Sequence, residues 1–238
     1  MRLEKEARVE DMEVGHHERP SILTCVITLG MVPIEFWLTS SRLQFPINGK
    51  VTSYVVKGLE VGKARQKCVE HVLSIPKEDR PKWLFFLGDD MLPPWEGFIR
   101  LYEEAENNNW DCLTGLYRMK QDWFPTYLLW RNDIVGRMQA GRDFKFGDVV
   151  DVDLTGLDFT LIRTSLLERM SDGTFFKTGP TPISEVPYME KYGKSKDGIL
   201  LHTEDVWFYN RARELNAKIG VHTGIRVSHL DVKTGLIY

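Results

Sequence analysis

The run Trp83-Leu84-Phe85-Phe86-Leu87 is five apolar residues without a polar interruption. It is too short to cross a membrane. Its lack of alternation fits a strand buried on both faces, as in a sheet covered by helices on each side. Gly88, Asp89 and Asp90 end the run abruptly, and Pro93 and Pro94 bar a return to strand. In open α/β sheets ligands sit just outside the carboxyl ends of the strands. Two carboxylates there are hard oxygen donors suited to Mg²⁺ or Mn²⁺ holding a diphosphate. Asp and Gly are also ordinary in a strand-to-helix turn, so this stretch alone leaves both readings open.

The flanking sequence supplies the rest of such a sheet. Residues 21–29 are an apolar, β-rich run and read as the first core strand; 51–56 read as a second. Between them the spacing predicts a helix over 33–43, with Ile34, Trp37 and Leu38 as its buried face. Residues 61–73 form the clearest amphipathic helix. Val61, Ala64, Cys68, Val69, Val72 and Leu73 fall at helical spacing, with Lys63, Arg65, Lys67 and Glu70 at the other positions. Strand, helix, strand, helix, strand before residue 90 is the pattern of a mostly parallel sheet. A helix over 95–107 and a strand over 111–117 follow.

Residues 118–148 are the least regular part. Trp123, Phe124, Tyr127, Trp130, Phe144 and Phe146 interleave with Arg118, Lys120, Arg131, Arg137, Arg142 and Lys145. Such a mixture can stack a sugar or a base, and it can equally form the core of a β-meander. Strands are expected at 126–131 and 149–154, as a candidate antiparallel pair around a mobile loop. A strand at 159–162 and a helix from Thr164 come next. Residues 173–196, rich in Pro, Gly and Lys, read as a flexible loop over a site. A helix over 203–216 begins with a threonine and two acids, which suits its dipole. Short strands at 218–222 and 225–229 close the chain.

Composition narrows the function. A net charge of −3 argues against broad nucleic-acid affinity but not against a local basic groove. Cys25, Cys68 and Cys112 are odd in number and widely spaced, which suits free thiols in a reducing cytosol rather than disulfides or a zinc site. With no signal-peptide pattern and no run of membrane-spanning length, the expected location is cytoplasmic. Residues 1–20 read as a charged arm, and its His16-His17 pair lacks further ligands.

Three features now align: Gly88-Asp89-Asp90 after a buried strand, Thr203-Glu204-Asp205 at a helix start, and His229 in the terminal stretch HTGIRVSHLD. In this order, over residues 21–230, the sequence resembles glycosyltransferases of the GT-A fold, especially family 2-like members of the kind found in bacteria and phages. The resemblance implies an α/β domain over 21–238 with a mostly parallel, Rossmann-like central sheet flanked by helices and a small antiparallel acceptor-side part. Residues 21–117 would be the nucleotide-binding half and 118–238 the acceptor-side half.

The family's D-x-D motif aligns with Gly88-Asp89-Asp90, so its first aspartate is missing here. The resemblance makes Asp90 the direct metal ligand and Asp89 a helper, through water or a nucleotide hydroxyl. His229 matches a late histidine that completes the metal site. Glu204-Asp205 matches the E-D motif, whose aspartate is the base for the acceptor hydroxyl in inverting members; the helix N-terminus is expected to hold Asp205 ionised. Arg65 matches a basic position near the nucleotide, although a surface arginine reads the same way. Gly156-Leu157-Asp158 resembles a glycine-containing acceptor-side turn, placing Gly156 and Asp158 near donor sugar or acceptor. Trp123 and Trp130 are the acceptor-side stacking candidates.

The implied activity is transfer of a hexosyl or pentosyl group from a nucleotide-diphosphate sugar to a hydroxyl acceptor, aided by Mn²⁺ or Mg²⁺. The expectation leans to inversion with Asp205 as base; a retaining mechanism stays open. The acceptor could be a glycan, a lipid-linked sugar, a protein or a modified nucleobase. Two other classes compete. A nucleotidyltransferase should show a glycine- and basic-rich phosphate loop after the first strand, where this chain has TLGMVPIEF. A catalytically inactive nucleotide-sugar-binding module is favoured only by the missing aspartate.

Overall fold

The structure is a computed structural model that describes residues 20–120, 126–131, 133–134, 137–170, 172–188 and 194–238. The expected arm, save Pro20, and Trp123 lie outside the described residues. β1 (Ser21–Thr28) leads through α1 (Ile34–Ser40) to β2 (Lys50–Lys57), and α2 (Val61–Ser74) leads to β3 (Trp83–Gly88). β4 (Met91–Leu92), α3 (Gly97–Asn107), β5 (Cys112–Leu116) and β6 (Leu129–Trp130) follow. Next come β7 (Val149–Asp151), β8 (Leu154–Thr155), β9 (Phe159–Arg163) and α4 (Thr164–Arg169). The last elements are β10 (Gly179–Pro182), β11 (Lys194–Lys196), β12 (Ile199–His202), α5 (Glu204–Glu214), β13 (Ile219–Arg226) and β14 (Ser228–His229).

The central sheet has seven strands in the order β2-β1-β3-β9-β5-β13-β7. β2, β1 and β3 are parallel, as are β5 and β13. β9 inserts antiparallel between β3 and β5, and β7 closes the far edge antiparallel to β13. β3 alternates between two cores. Leu84 and Phe86 pack with α2, α4 and α5; Trp83, Phe85 and Leu87 pack with Phe36 of α1 and with α3. That double burial is why the run carries no polar residue, and burying each Phe contributes about 1.5–3 kcal/mol. Inside the sheet, the hydroxyls of Thr114 and Thr160 hydrogen-bond to each other at 2.9 Å across β5 and β9, so neither is left unpaired.

Several expectations need correction. α1 turns the other way: Phe36 is buried, while Ile34, Trp37 and Leu38 are 62, 58 and 41% exposed. Helical spacing identified a possible stripe, but α1 rests on the sheet's end through the Phe36 side only. Arg65 of α2, assigned to the outer positions, is buried; its charge is met by two carboxylates described below. The strand expected at 149–154 splits into β7 and β8, which pair with β13 and β6 respectively. The expected loop over 173–196 contains β10 and β11, which with β12 make a three-stranded antiparallel sheet. The two closing strands are instead one long β13 plus β14, and β14 pairs with β4. The cysteines are free and buried, as expected. Among the described residues, no helix is long and apolar enough to cross a membrane.

Candidate active site

The carboxyl ends of β1 and β3 open into a cleft of about 520 Å³. Its wall brings together the ends of β1 (Thr28) and β3 (Gly88, Asp89, Asp90), Arg65 of α2, Gly156 and Asp158 of the β8–β9 turn, and Glu204 and Asp205 of α5. Residues far apart in sequence thus converge where an α/β sheet places its ligand. A larger hollow of about 1150 Å³, lined by Phe45, Ile47, Tyr102 and Glu103 among others, gathers no comparable set of ionisable side chains.

Arg65 ties three elements of the cleft together. One guanidinium nitrogen bonds Glu204 and another bonds Asp158. Burial alone would weaken the guanidinium's hold on its proton, but Asp158 and Glu204 more than offset this and raise its pKa. Burial pushes the Glu204 carboxyl up to about 7, against the pull of Arg65 and with help from nearby Asp205.

Asp205 lies in the first turn of α5. Its Oδ1 accepts bonds from the Thr203 hydroxyl and, at 2.9 Å, from the Val206 N–H. Burial pushes its pKa up, and the Thr203 hydrogen bond and Arg65 only partly counter this. Desolvation, which grows with enclosure in the cleft, acts against what the helix dipole favours. The Thr203 hydroxyl does not cap the helix; it is committed to Asp205.

Asp90 and His229 meet although 139 positions separate them. The β4–β14 pairing sets His229 opposite Met91, and the Leu230 N–H donates to the Asp90 carbonyl at 2.8 Å. His229 Nε2 then lies 3.4 Å from Asp90 Oδ2. The other ring nitrogen, Nδ1, is 2.9 Å from the Arg118 carbonyl. A carbonyl only accepts, so Nδ1 carries the hydrogen. The lone pair of a neutral Nε2 would then face a carboxylate oxygen, an arrangement that needs a cation or a proton between the two. The Lys120 ammonium supplies positive charge here by bonding the same Oδ2. Burial opposes ionisation of Asp90, yet His229 and Lys120 hold its pKa down at about 2. Asp89 is shifted the other way: burial raises its pKa despite a bond from the Thr28 hydroxyl.

These donors fit a hard divalent cation. A carboxylate and an imidazole whose other nitrogen is fixed by a backbone carbonyl are suitable ligands. Mg²⁺ and related ions commonly take one or two protein groups and complete their shell with water and substrate phosphates. Among the described residues, no group of three His, Cys, Asp or Glu side chains is arranged to hold a metal by itself.

A side chain at the first position of the carboxylate motif would be crowded. A Cβ on Gly88 would lie 3.0 Å from the Cβ of Asp158 and 3.2 Å from its Oδ1. The Gly88 N–H also donates to the Asp158 carbonyl at 2.7 Å. Gly156 is more tightly constrained, because a Cβ there would lie 1.9 Å from the Tyr117 hydroxyl. That hydroxyl accepts the Asp158 N–H at 3.1 Å and so fixes the turn.

Tyr117 and Lys120 were not singled out from sequence as site residues. Lys120 stood in the aromatic and basic stretch, but nothing local marked it from its neighbours. Trp130 is not part of the cleft wall. It sits in β6 paired to β8, packs against the main core, and has the Arg137 guanidinium 5.2 Å from its ring centre. Trp123 lies outside the described residues.

No family model and no curated protein sequence matches the chain. Solved structures do. A197 from STIV aligns with a TM-score of 0.55 at 17% identity, over 91% of this chain and 92% of that one. GalNAc-T7, solved with UDP, GalNAc and Mn²⁺, aligns with a TM-score of 0.51 at 10% identity, over 90% of this chain but only 44% of that one. At such identities the likeness is one of architecture, and it agrees with the strand order and flanking helices described above: this chain has the GT-A fold.

Proposed function

We propose that the chain is a glycosyltransferase that moves a sugar from a nucleotide-diphosphate sugar to a hydroxyl acceptor, with inversion and with a divalent cation. The observation that carries this reading is the convergence of Asp90 and Asp205 on one cleft at the strand ends, with the buried His229 set against Asp90 from behind the wall. Asp90 and His229 Nε2 would hold the cation, which when bound offsets the charge growing on the departing diphosphate. That GalNAc-T7, similar in fold, was solved with UDP, GalNAc and Mn²⁺ supports this donor and cation class.

Asp205 is the base that accepts the proton of the acceptor hydroxyl as its oxygen attacks the anomeric carbon. A carboxylate with a raised pKa is a stronger base than an exposed one, and catalytic groups work best with a pKa near the operating pH. Glu204, on the same wall, is engaged by Arg65 and holds the start of α5 in place. Arg65 in turn fixes Asp158 against the end of β3, so donor and acceptor sides share one rigid support.

The test is a panel of nucleotide sugars incubated with Mn²⁺ and scored for binding and slow donor hydrolysis. One or more should bind and be hydrolysed, and EDTA should abolish both. Asp90→Ala and His229→Ala should each lower nucleotide affinity and turnover while the thermal melt stays cooperative. Full activity of either variant in chelator would remove the cation assignment, and a panel without any binder would remove the activity.

A further inference from the structure

The segment after β5 crosses the carboxyl end of the sheet and gives two groups to the same place. The Arg118 carbonyl fixes His229, and the Lys120 ammonium bonds Asp90. Asp90 Oδ2 is therefore approached both by Lys120 Nζ and by His229 Nε2, the latter at 3.4 Å. The preceding section proposes this pair as the cation's protein ligands. A divalent ion held by Asp90 and His229 would sit against the ammonium and repel it, so the two charges compete for one carboxylate.

A displaced ammonium needs another anion. Asp158 and Glu204 are already bonded to Arg65, and Asp205 to Thr203. Asp89 is half-buried and takes a bond from Thr28, while Asp231, close enough to feel the Lys120 charge, is exposed and already accepts from the Lys233 N–H and the Thr234 hydroxyl. The anion that would arrive together with the cation is the diphosphate. Lysine is a common phosphate partner, and its long flexible stem allows the head to swing between neighbouring oxygens.

We propose that Lys120 is the resident counter-ion of Asp90 in the donor-free protein and becomes a ligand of the donor's diphosphate when donor and cation enter. The inference rests on reading the cleft as a nucleotide-diphosphate site. Its consequence is conditional metal binding. Alone, the cation leaves the displaced ammonium only water and the exposed Asp231; with a diphosphate, the ammonium gains a stronger anionic partner. The two ligands therefore help each other, and linkage makes that help reciprocal.

The experiment is calorimetric titration of the purified chain with Mn²⁺ alone, and with Mn²⁺ plus UDP, GDP, ADP or CDP. In the wild-type protein at least one nucleoside diphosphate should tighten Mn²⁺ binding. Lys120→Met keeps the stem and removes the charge. Its side chain is 30% exposed, so the fold should tolerate the change. Mn²⁺ alone should bind Lys120→Met about 10-fold or more tightly than wild type, while the nucleoside diphosphate binds about 10-fold or more weakly in Mn²⁺. Lys120→Arg, which keeps the charge, should behave like wild type in both titrations. A residue that merely supported the loop could weaken both ligands but could not improve the metal. If a nucleoside diphosphate tightens Mn²⁺ binding in wild type and Lys120→Met matches it in either titration, the role of Lys120 is overturned while the functional reading stands. If no nucleoside diphosphate affects Mn²⁺ binding to the wild type, both fall together.

Discussion

Asp205→Asn should lower sugar transfer on the order of 10²–10⁴-fold, the usual loss when general-base catalysis is removed. The substitution keeps the side chain's size and its oxygen facing Thr203 and the Val206 N–H. It removes the ability to take a proton. Donor binding in Mn²⁺ and the melting temperature should therefore barely move. Glu204→Gln should cost less turnover, since Glu204 is engaged with Arg65. The pH dependence provides a second check. Burial raises the Asp205 pKa above its ordinary 3.8, and only the ionised form accepts a proton. The kcat/KM of the wild type should thus climb with pH through that raised value and then level off. Near-normal transfer by Asp205→Asn would remove the assigned base and favour a retaining mechanism or another carboxylate such as Asp158.

The largest stability effect should come from Arg65→Met, at about 3–5 kcal/mol, the cost of breaking a buried ion pair from one side. For a domain of this size that lowers the melting temperature by roughly 6–20 °C. Most of the loss should come through Glu204, whose side chain is 8% exposed; Asp158 is 32% exposed and can recover water. The deficit should narrow in acid. Without the guanidinium both carboxylates are costly only while ionised, and protonation relieves them. In the wild type, Glu204 already sits near 7 against an ordinary 4.5. The folded chain keeps a proton there that the unfolded chain releases, so this group's contribution is full below about 4.5 and is lost as pH rises through about 7. Thermal melts at pH 5 and pH 8 for wild type, Arg65→Met and Arg65→Lys would check both statements. A variant melting like wild type at pH 8 would show that the pair supports little.

Much of the sheet was legible because its signals are local. β3 announces itself by an uninterrupted apolar run, and α2 by its spacing. The strand ends were legible too, since Gly88, Asp89 and Asp90 break the run. What escaped depends on distant partners. Arg65 looked like a solvent-facing residue because periodicity assigns charge to the outside; only residues 158 and 204, once folded, make burial affordable. The face of α1 was misread because spacing gives a stripe but not the surface it meets. For Asp205 the local dipole was weighed while the enclosure built by other segments was invisible. Lys120 gained its place only through contact with Asp90, 30 positions earlier. The sheet insertion of β9 is likewise a matter of pairing with β3 and β5, which no single window of sequence records.

The crowding of Gly88 by Asp158 changes how substitutions at these two positions should be interpreted. A side chain at position 88 would fit at this corner of the cleft only if that of Asp158 shifted by a few tenths of an ångström. A survey that varies one site at a time would measure position 88 only with Asp158 in place. Exchanging the bulk between them keeps one carboxylate and one vacancy. Gly88→Asp should therefore be better tolerated beside Asp158→Gly than beside Asp158, a coupling that a double-mutant cycle would read.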